Sequence, residues 1–257
     1  MWLRRCFLAF FVIFPLQSMA GAFKVFPLNL QFDPGTKTAS LKIVNTDERA
    51  VTVQLEGAVW KQDATTGEDA YDDTKDILFF PKIVKIEKGE ERVVRIGFTG
   101  SFPAKGEKTY RLFIQELPPQ TPTGGALSFL LRLSIPLFVV SSDLVVQPVL
   151  DKASLSKGGV LLSVKNKGNA HAIVGVMEAR GLGANNEELF RQEAQGWYVL
   201  PGVSRVFRIP LRDAPCDKAK SIAVRVEVGT EVVSGTVPVK ALDCVAPREA
   251  DAANRKN

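Results

Sequence analysis

The chain is poor in the residues that most catalysis and metal binding require. Of 257 residues, one is a histidine and three are cysteines. A Ser–His–Asp triad would have to use His171, which lies in Asn169-Ala170-His171-Ala172, a turn entering an apolar run. No Gly-x-Ser-x-Gly elbow accompanies it, so His171 reads as a surface or turn residue. A zinc site is excluded for want of cysteines at ligand spacing or a second histidine. Gly181-Leu182-Gly183 lacks the third glycine of a dinucleotide fingerprint. Glu68-Asp69-Ala70-Tyr71-Asp72-Asp73 lacks the spacing of a calcium loop and reads as a solvated hairpin tip. Lys/Arg blocks and basic helices are missing too, which argues against nucleic acid as a partner. These absences imply no cofactor and no metal, and they make an enzyme the minority reading.

What is present begins with an export signal. Met1-Trp2-Leu3-Arg4-Arg5 is basic, Cys6 to Leu16 is apolar, and Ser18-Met19-Ala20 supplies small residues before a cut. Residues 1–20 therefore read as a signal peptide; the apolar run is short for a membrane span and nothing later supplies one. Losing Arg4 and Arg5 lowers the net charge of +5 by two, to about +3. Cys6 leaves with the signal, so Cys216 and Cys244 remain as an even pair in an oxidising compartment. A disulfide between them would close a loop of about thirty residues, worth roughly 3–4 kcal/mol on the chain-entropy account. The alternative is two free buried thiols.

Beyond the signal, helical patterns are nearly absent and short alternating segments recur. Ser40-Leu41-Lys42-Ile43, Val51-Thr52-Val53-Gln54-Leu55, Val94-Arg95-Ile96-Gly97-Phe98 and Val160-Leu161-Leu162-Ser163-Val164 are examples, separated by turns such as Asn45-Thr46-Asp47-Glu48 and Asn166-Lys167-Gly168-Asn169. This pattern predicts an all-β protein of antiparallel sandwiches. The length favours two of them. Ser141-Ser142-Asp143 marks the boundary, dividing an N-terminal domain over residues 21–142 from a C-terminal one over 143–245, with a frayed charged tail over 246–257. The halves echo each other: Leu41 to Val53 matches Leu162 to Val174, and Glu87 to Arg95 matches Leu200 to Arg208.

One stretch stands apart. In Leu127-Ser128-Phe129-Leu130-Leu131-Arg132-Leu133-Ser134-Ile135-Pro136-Leu137, large apolar residues fall at strict period two and project from one face of an extended chain. Pro136 has no amide hydrogen and so favours an edge strand. Exposed apolar edges invite aggregation, and keeping one suggests that it is used. The alternative is an ordinary core strand.

Taken together, these features resemble the periplasmic pilus-assembly chaperones of the chaperone–usher pathway. The residues that carry the resemblance are Phe32-Asp33-Pro34-Gly35 with Leu41-Lys42-Ile43-Val44-Asn45, Phe80-Pro81 through Val94-Arg95-Ile96, Tyr110 to Pro119 with its Glu116-Leu117-Pro118-Pro119 ending, and the alternating strand. The resemblance implies two immunoglobulin-like domains set at an angle and a periplasmic location. It also implies donor-strand complementation, in which Leu127, Phe129, Leu131 and Leu133 fill the groove of an incomplete pilus subunit before delivery to an outer-membrane usher. Family members join their domains through a buried ion network, for which Arg95, Glu107 and Asp217 are the matching residues.

The family's best-known branch anchors the client's C-terminal carboxylate with an Arg and a Lys. Asn29 stands near the Arg position and Lys108 near the Lys, which turns attention to Arg111 and Arg132 as the cationic anchors. Tyr110-Arg111 and the Arg132 to Phe138 stretch resemble the divergent archaic or alternative branch. A secreted adhesin or structural pilus component is the competing function, and a β-sandwich hydrolase a third. The mature start, Gly21 to Phe26, is too short for a subunit's own donor extension.

Overall fold

The computed structural model describes residues 23–118, 129–156, 158–240 and 244. Among these, the elements are eighteen strands and one short 3₁₀ turn, Cys216–Lys218. The first ten strands are β1 (Phe23–Phe26), β2 (Leu30–Phe32), β3 (Thr38–Asn45), β4 (Val51–Gln62), β5 (Asp69–Asp73), β6 (Ile77–Phe80), β7 (Ile83–Ile86), β8 (Glu91–Phe98), β9 (Glu107–Glu116) and β10 (Arg132–Val140). They form two sheets, one ordered β1-β3-β8-β6 and the other β2-β10-β9-β4-β5, with β7 also paired to β4.

The remaining strands are β11 (Pro148–Ser156), β12 (Gly159–Asn166), β13 (Ala172–Leu182), β14 (Glu188–Gln195), β15 (Tyr198–Val199), β16 (Ser204–Pro210), β17 (Ser221–Val228) and β18 (Glu231–Pro238). These make a second sandwich, β11-β12-β16 against β14-β13-β17-β18, with β15 paired to β13. The two-sandwich, all-β architecture is the one the alternation predicts.

Period-two patterning does the sorting. In β3, Leu41 and Ile43 are buried while Lys42 faces water; in β8, Val94, Ile96 and Phe98 are buried while Val93 and Arg95 are exposed. Such a strand can bury only one face, so its register is fixed by the core it meets. One core gathers Phe32, Leu41, Ile43, Leu55, Ile96, Leu112 and Leu137. The other gathers Val160, Leu162, Val164, Met177, Ile209 and Val224, and it continues into the first sandwich through Trp60, Phe138 and Val140. The two halves are therefore joined by apolar packing as well as by chain.

Cys216 and Cys244 are disulfide-bonded, with Cα atoms 5.7 Å apart and a sequence separation of 28. No helix among the described residues is long and apolar enough to cross a membrane.

Candidate functional site

β10 has an unequal pair of neighbours. On one side β9 pairs with it from Arg132 to Val140. On the other, the three-residue β2 pairs in parallel with Leu137–Val139 alone. From Arg132 to Pro136 the outer edge carries no partner strand among the described residues, and Pro136, which cannot donate, sits at the end of that open stretch.

The side chains on one face of this strand grade from core to surface. Val139 and Leu137 have no exposed area and Ile135 is 3% exposed. Leu133 and Leu131 are partly buried and still touch the first core. Phe129, next in the alternation, is 83% exposed. Leu127 lies outside the described residues. The alternation thus holds two environments, the sandwich's own core and an open apolar end. Glu116 fixes the start of the strand: its buried carboxylate accepts from the Leu131 amide at 3.3 Å and lies 3.5 Å from Arg49 Nη2, while its own amide donates to the Leu131 carbonyl at 2.8 Å.

Behind the edge, the opposite face of the same sheet meets the second sandwich. Trp60 on β4, Arg111 on β9 and Phe138 on β10 all point this way, because each lies one residue out of phase with its strand's first-core residues. The Arg111 guanidinium carbon stacks 3.7 Å from the Trp60 ring and lies 5.4 Å from Tyr198 and 5.5 Å from Trp197. Arg111 is 3% exposed, and its Nε and Nη2 atoms are buried without a hydrogen-bond partner among the described residues. Burial pulls its pKa below the ordinary arginine value, partly offset by Tyr71 and Asp69. Arginine remains a cation even so. Asp69, the nearby carboxylate, is engaged elsewhere: it accepts from Trp60 Nε1 and Gln62 Nε2, each at 2.9 Å, and from Arg205 at 3.4 Å. A buried guanidinium lacking an anion is costly unless something later supplies one.

The expected convergence of Arg111 and Arg132 does not occur. Arg111 pairs in register with Pro136, four residues along β10 from Arg132, or about 13 Å at strand rise. Arg132 is half-exposed, lies 3.8 Å from Glu56 and covers the ring of Phe113, which stands between the two arginines. Lys108 is turned away, donating to the carbonyl and hydroxyl of Ser101 at 2.7 and 3.0 Å. Asn29 is exposed just before β2.

The expected ion network is also not assembled from its three residues. Arg95 lies on the exposed face of β8 beside Phe80 and Ser40, because Val94 and Ile96 take the core positions on either side of it. Asp217 is exposed on the 3₁₀ turn. Glu107 alone reaches across: its fully buried carboxylate accepts from the His171 amide at 2.7 Å and lies 2.8 Å from His171 Nδ1. The His171 ring stacks on Phe138 with centroids 3.7 Å apart. His171 is therefore a joint between the sandwiches and not a free turn residue. Nor is the acidic run wholly a solvated tip, since Asp69 turns inward and the loop before it accepts across the junction, Ser204 N donating to Ala64 O at 3.1 Å. Trp60, nine residues before Asp69, is the available hint, because a buried indole N–H needs an acceptor.

Residues 22–144 match the family described as pili and flagellar-assembly chaperone, PapD N-terminal domain. No curated protein matches the chain in sequence. Among solved structures, the chain is similar to one of the CsuC–CsuE chaperone–tip adhesion subunit pre-assembly complex from the archaic chaperone–usher Csu pili of Acinetobacter baumannii. That match has a TM-score of 0.55 and 22% identity over 84% of this chain and 98% of the other. The YadV chaperone matches with a TM-score of 0.55 and 16% identity over 85% and 100%. The CupB2 chaperone of Pseudomonas aeruginosa matches with a TM-score of 0.53 and 16% identity over 84% and 100%. At these identities the likeness is one of fold.

Proposed function

Because residues 22–144 belong to the family of pili and flagellar-assembly chaperones, we propose that the chain is a periplasmic chaperone that captures pilus subunits by lending them the open end of β10 and delivers them to an outer-membrane usher. The observation that carries this reading is the graded face from Val139 out to Phe129 beside an unpaired backbone edge. A subunit strand laid along Arg132–Pro136 would gain main-chain hydrogen bonds, while Phe129, Leu131, Leu133 and, beyond the described residues, Leu127 would enter its apolar groove. Covering a side chain as exposed as Phe129 contributes roughly 1.5–3 kcal/mol before ordering costs.

The anchor for the client is Arg111. Nε and Nη2 share one edge of the guanidinium, the edge that a carboxylate grips with both oxygens. Both atoms are unpaired here, so a C-terminal carboxylate would neutralise the buried cation. Arg132, half-exposed and facing Glu56, is the weaker candidate. The motifs around Tyr110-Arg111 and Arg132 favour the archaic branch, and the fold likeness to an archaic chaperone complexed with a tip subunit supports it.

Periplasmic co-expression with the other products of the same operon tests the reading. Phe129→Ser is expected to leave the free protein folded, since the ring is outside the core, while no subunit co-purifies. A folded Phe129→Ser protein that still protects its subunit would overturn strand donation. Leu133→Ser is expected to lower stability as well as capture, because Leu133 packs on the first core.

A further inference from the structure

The Arg111 edge is ready for an anion but closed. Nε and Nη2 have neither a partner among the described residues nor contact with solvent, so something in the free protein covers them. Three rings stand around the guanidinium, and they are not equally held. Trp60 is 1% exposed and its indole N–H is fixed by Asp69 at 2.9 Å. Tyr198 is packed among Trp60, Phe138 and His171, with centroids 5.4, 6.0 and 5.6 Å away. Trp197 is different: its side chain reaches the site from the second sandwich and is 44% exposed. Its ring meets Tyr198 edge-on at 5.6 Å, and no hydrogen bond from the described residues holds its indole. The backbone beneath it is pinned on both sides, by Gly196 N to Gly175 O at 2.8 Å and Val174 N to Trp197 O at 3.1 Å. Motion at this position therefore belongs to the side chain.

We propose that Trp197 is the gate of the Arg111 site: its indole covers the guanidinium edge in the free protein and swings outward to admit a terminal carboxylate. This rests on the reading of Arg111 as the client's anchor. The closed ring keeps adventitious anions off an unpaired cation, and it exposes the cation only when a carboxylate is delivered by a chain already held on β10. A gate shut in all but about a tenth of molecules weakens the apparent affinity for a free carboxylate roughly tenfold, because only the open fraction binds.

The full mature protein, labelled with ¹⁵N, provides the test through the Arg111 Nε–H resonance. In the parent that proton is expected to exchange slowly with water. In Trp197→Ala it is expected to exchange at least roughly tenfold faster, and N-acetylglycine should shift the resonance at about a tenth of the concentration the parent needs. N-acetylglycinamide, which lacks the carboxylate, should shift neither protein. Should Trp197→Ala be poorly folded by near-ultraviolet circular dichroism, Trp197→Leu serves the same purpose. Equal exchange and equal titration in parent and variant would overturn the gate. Arg111→Gln, assayed by subunit co-purification, separates the two failures. Lost capture in Arg111→Gln with an unchanged Trp197 variant sinks the gate and leaves the anchor standing, whereas capture equal to the parent's sinks the anchor and the gate with it.

Discussion

The two sandwiches are built on one repeated staple. Asn45 ends β3 and is buried; its amide nitrogen donates to Arg49 O at 2.8 Å and Ile86 O at 2.9 Å, and its oxygen accepts from Asp47 N at 2.8 Å. Asn166 ends β12 in the same way, donating to Ala170 O at 2.7 Å and Val199 O at 3.0 Å and accepting from Gly168 N at 3.0 Å. In both halves the strand that follows the stapled segment is entered through a glycine at positive φ, Gly89 at 70° and Gly202 at 78°. The halves part company at their last strands. β18 pairs with β17 from end to end, and the Cys216–Cys244 bond lies beyond it. β10 runs past its short neighbour β2 and leaves Phe129 outside. The same local chemistry makes both folds, and the candidate function sits where the first half stops obeying it.

The strongest test of that equivalence is in the cores. Leu41 and Leu162 hold the same place, four residues before the stapling asparagine, and neither has exposed area. Leu41→Ala and Leu162→Ala should each cost about 2–5 kcal/mol in urea unfolding, the range for emptying a buried leucine site. A large loss for one and not the other would show that the repeat is geometric without being energetic.

How much of this could be read from the chain follows from range. Strand alternation is a period-two signal between neighbours, and it gave the all-β fold, the burial of Leu41, Ile43, Val94 and Ile96, and the echo between halves. The same alternation sets Arg95 on the face opposite Val94 and Ile96, away from the core, whereas the motif match places it in a buried network. The junction was hidden because its partners are far apart in sequence. Gln62 meets Tyr198 across 136 residues, and Glu107 meets His171 across 64. Neither spacing leaves a local trace, and an Asp-rich run looks solvated until its indole partner is placed. Arg111 was identifiable as a candidate, but not its isolation from Arg132, which depends on strand register.

A smaller effect is expected at the staples themselves. Asn45→Ala strands the Arg49 and Ile86 carbonyls and the Asp47 amide, Asn166→Ala strands the Ala170 and Val199 carbonyls and the Gly168 and Gln147 amides, and leaving a buried group unpaired costs about 1–3 kcal/mol. Amide hydrogen exchange should then quicken locally, at Asp47 in one variant and Gly168 in the other, because each amide loses its side-chain acceptor. If exchange rises throughout the protein in both variants, the staples govern global folding and are not local devices.

The smallest expected change is at Arg95, and there it separates motif from geometry. A member of a buried ion network cannot be removed cheaply: the partners remain desolvated, at a cost of about 3–5 kcal/mol. Arg95 instead lies on the open face of the β1-β3-β8-β6 sheet, lining a cavity of about 660 Å³ with Leu78, Phe80 and Ser40, and it has no ion-pair partner among the described residues. Its counterpart in the second half is Arg208, six residues after Gly202 as Arg95 is six after Gly89. Both follow the same outward phase of the repeat. Arg95→Ala should therefore move stability by no more than about 0.5 kcal/mol, the usual span for a surface change. Glu107→Ala, by contrast, removes the acceptor for the His171 amide and ring and should lower the melting temperature clearly. A loss of several kcal/mol from Arg95→Ala, with little from Glu107→Ala, would restore the network that the motif suggests and break the placement of the junction at Glu107 and His171.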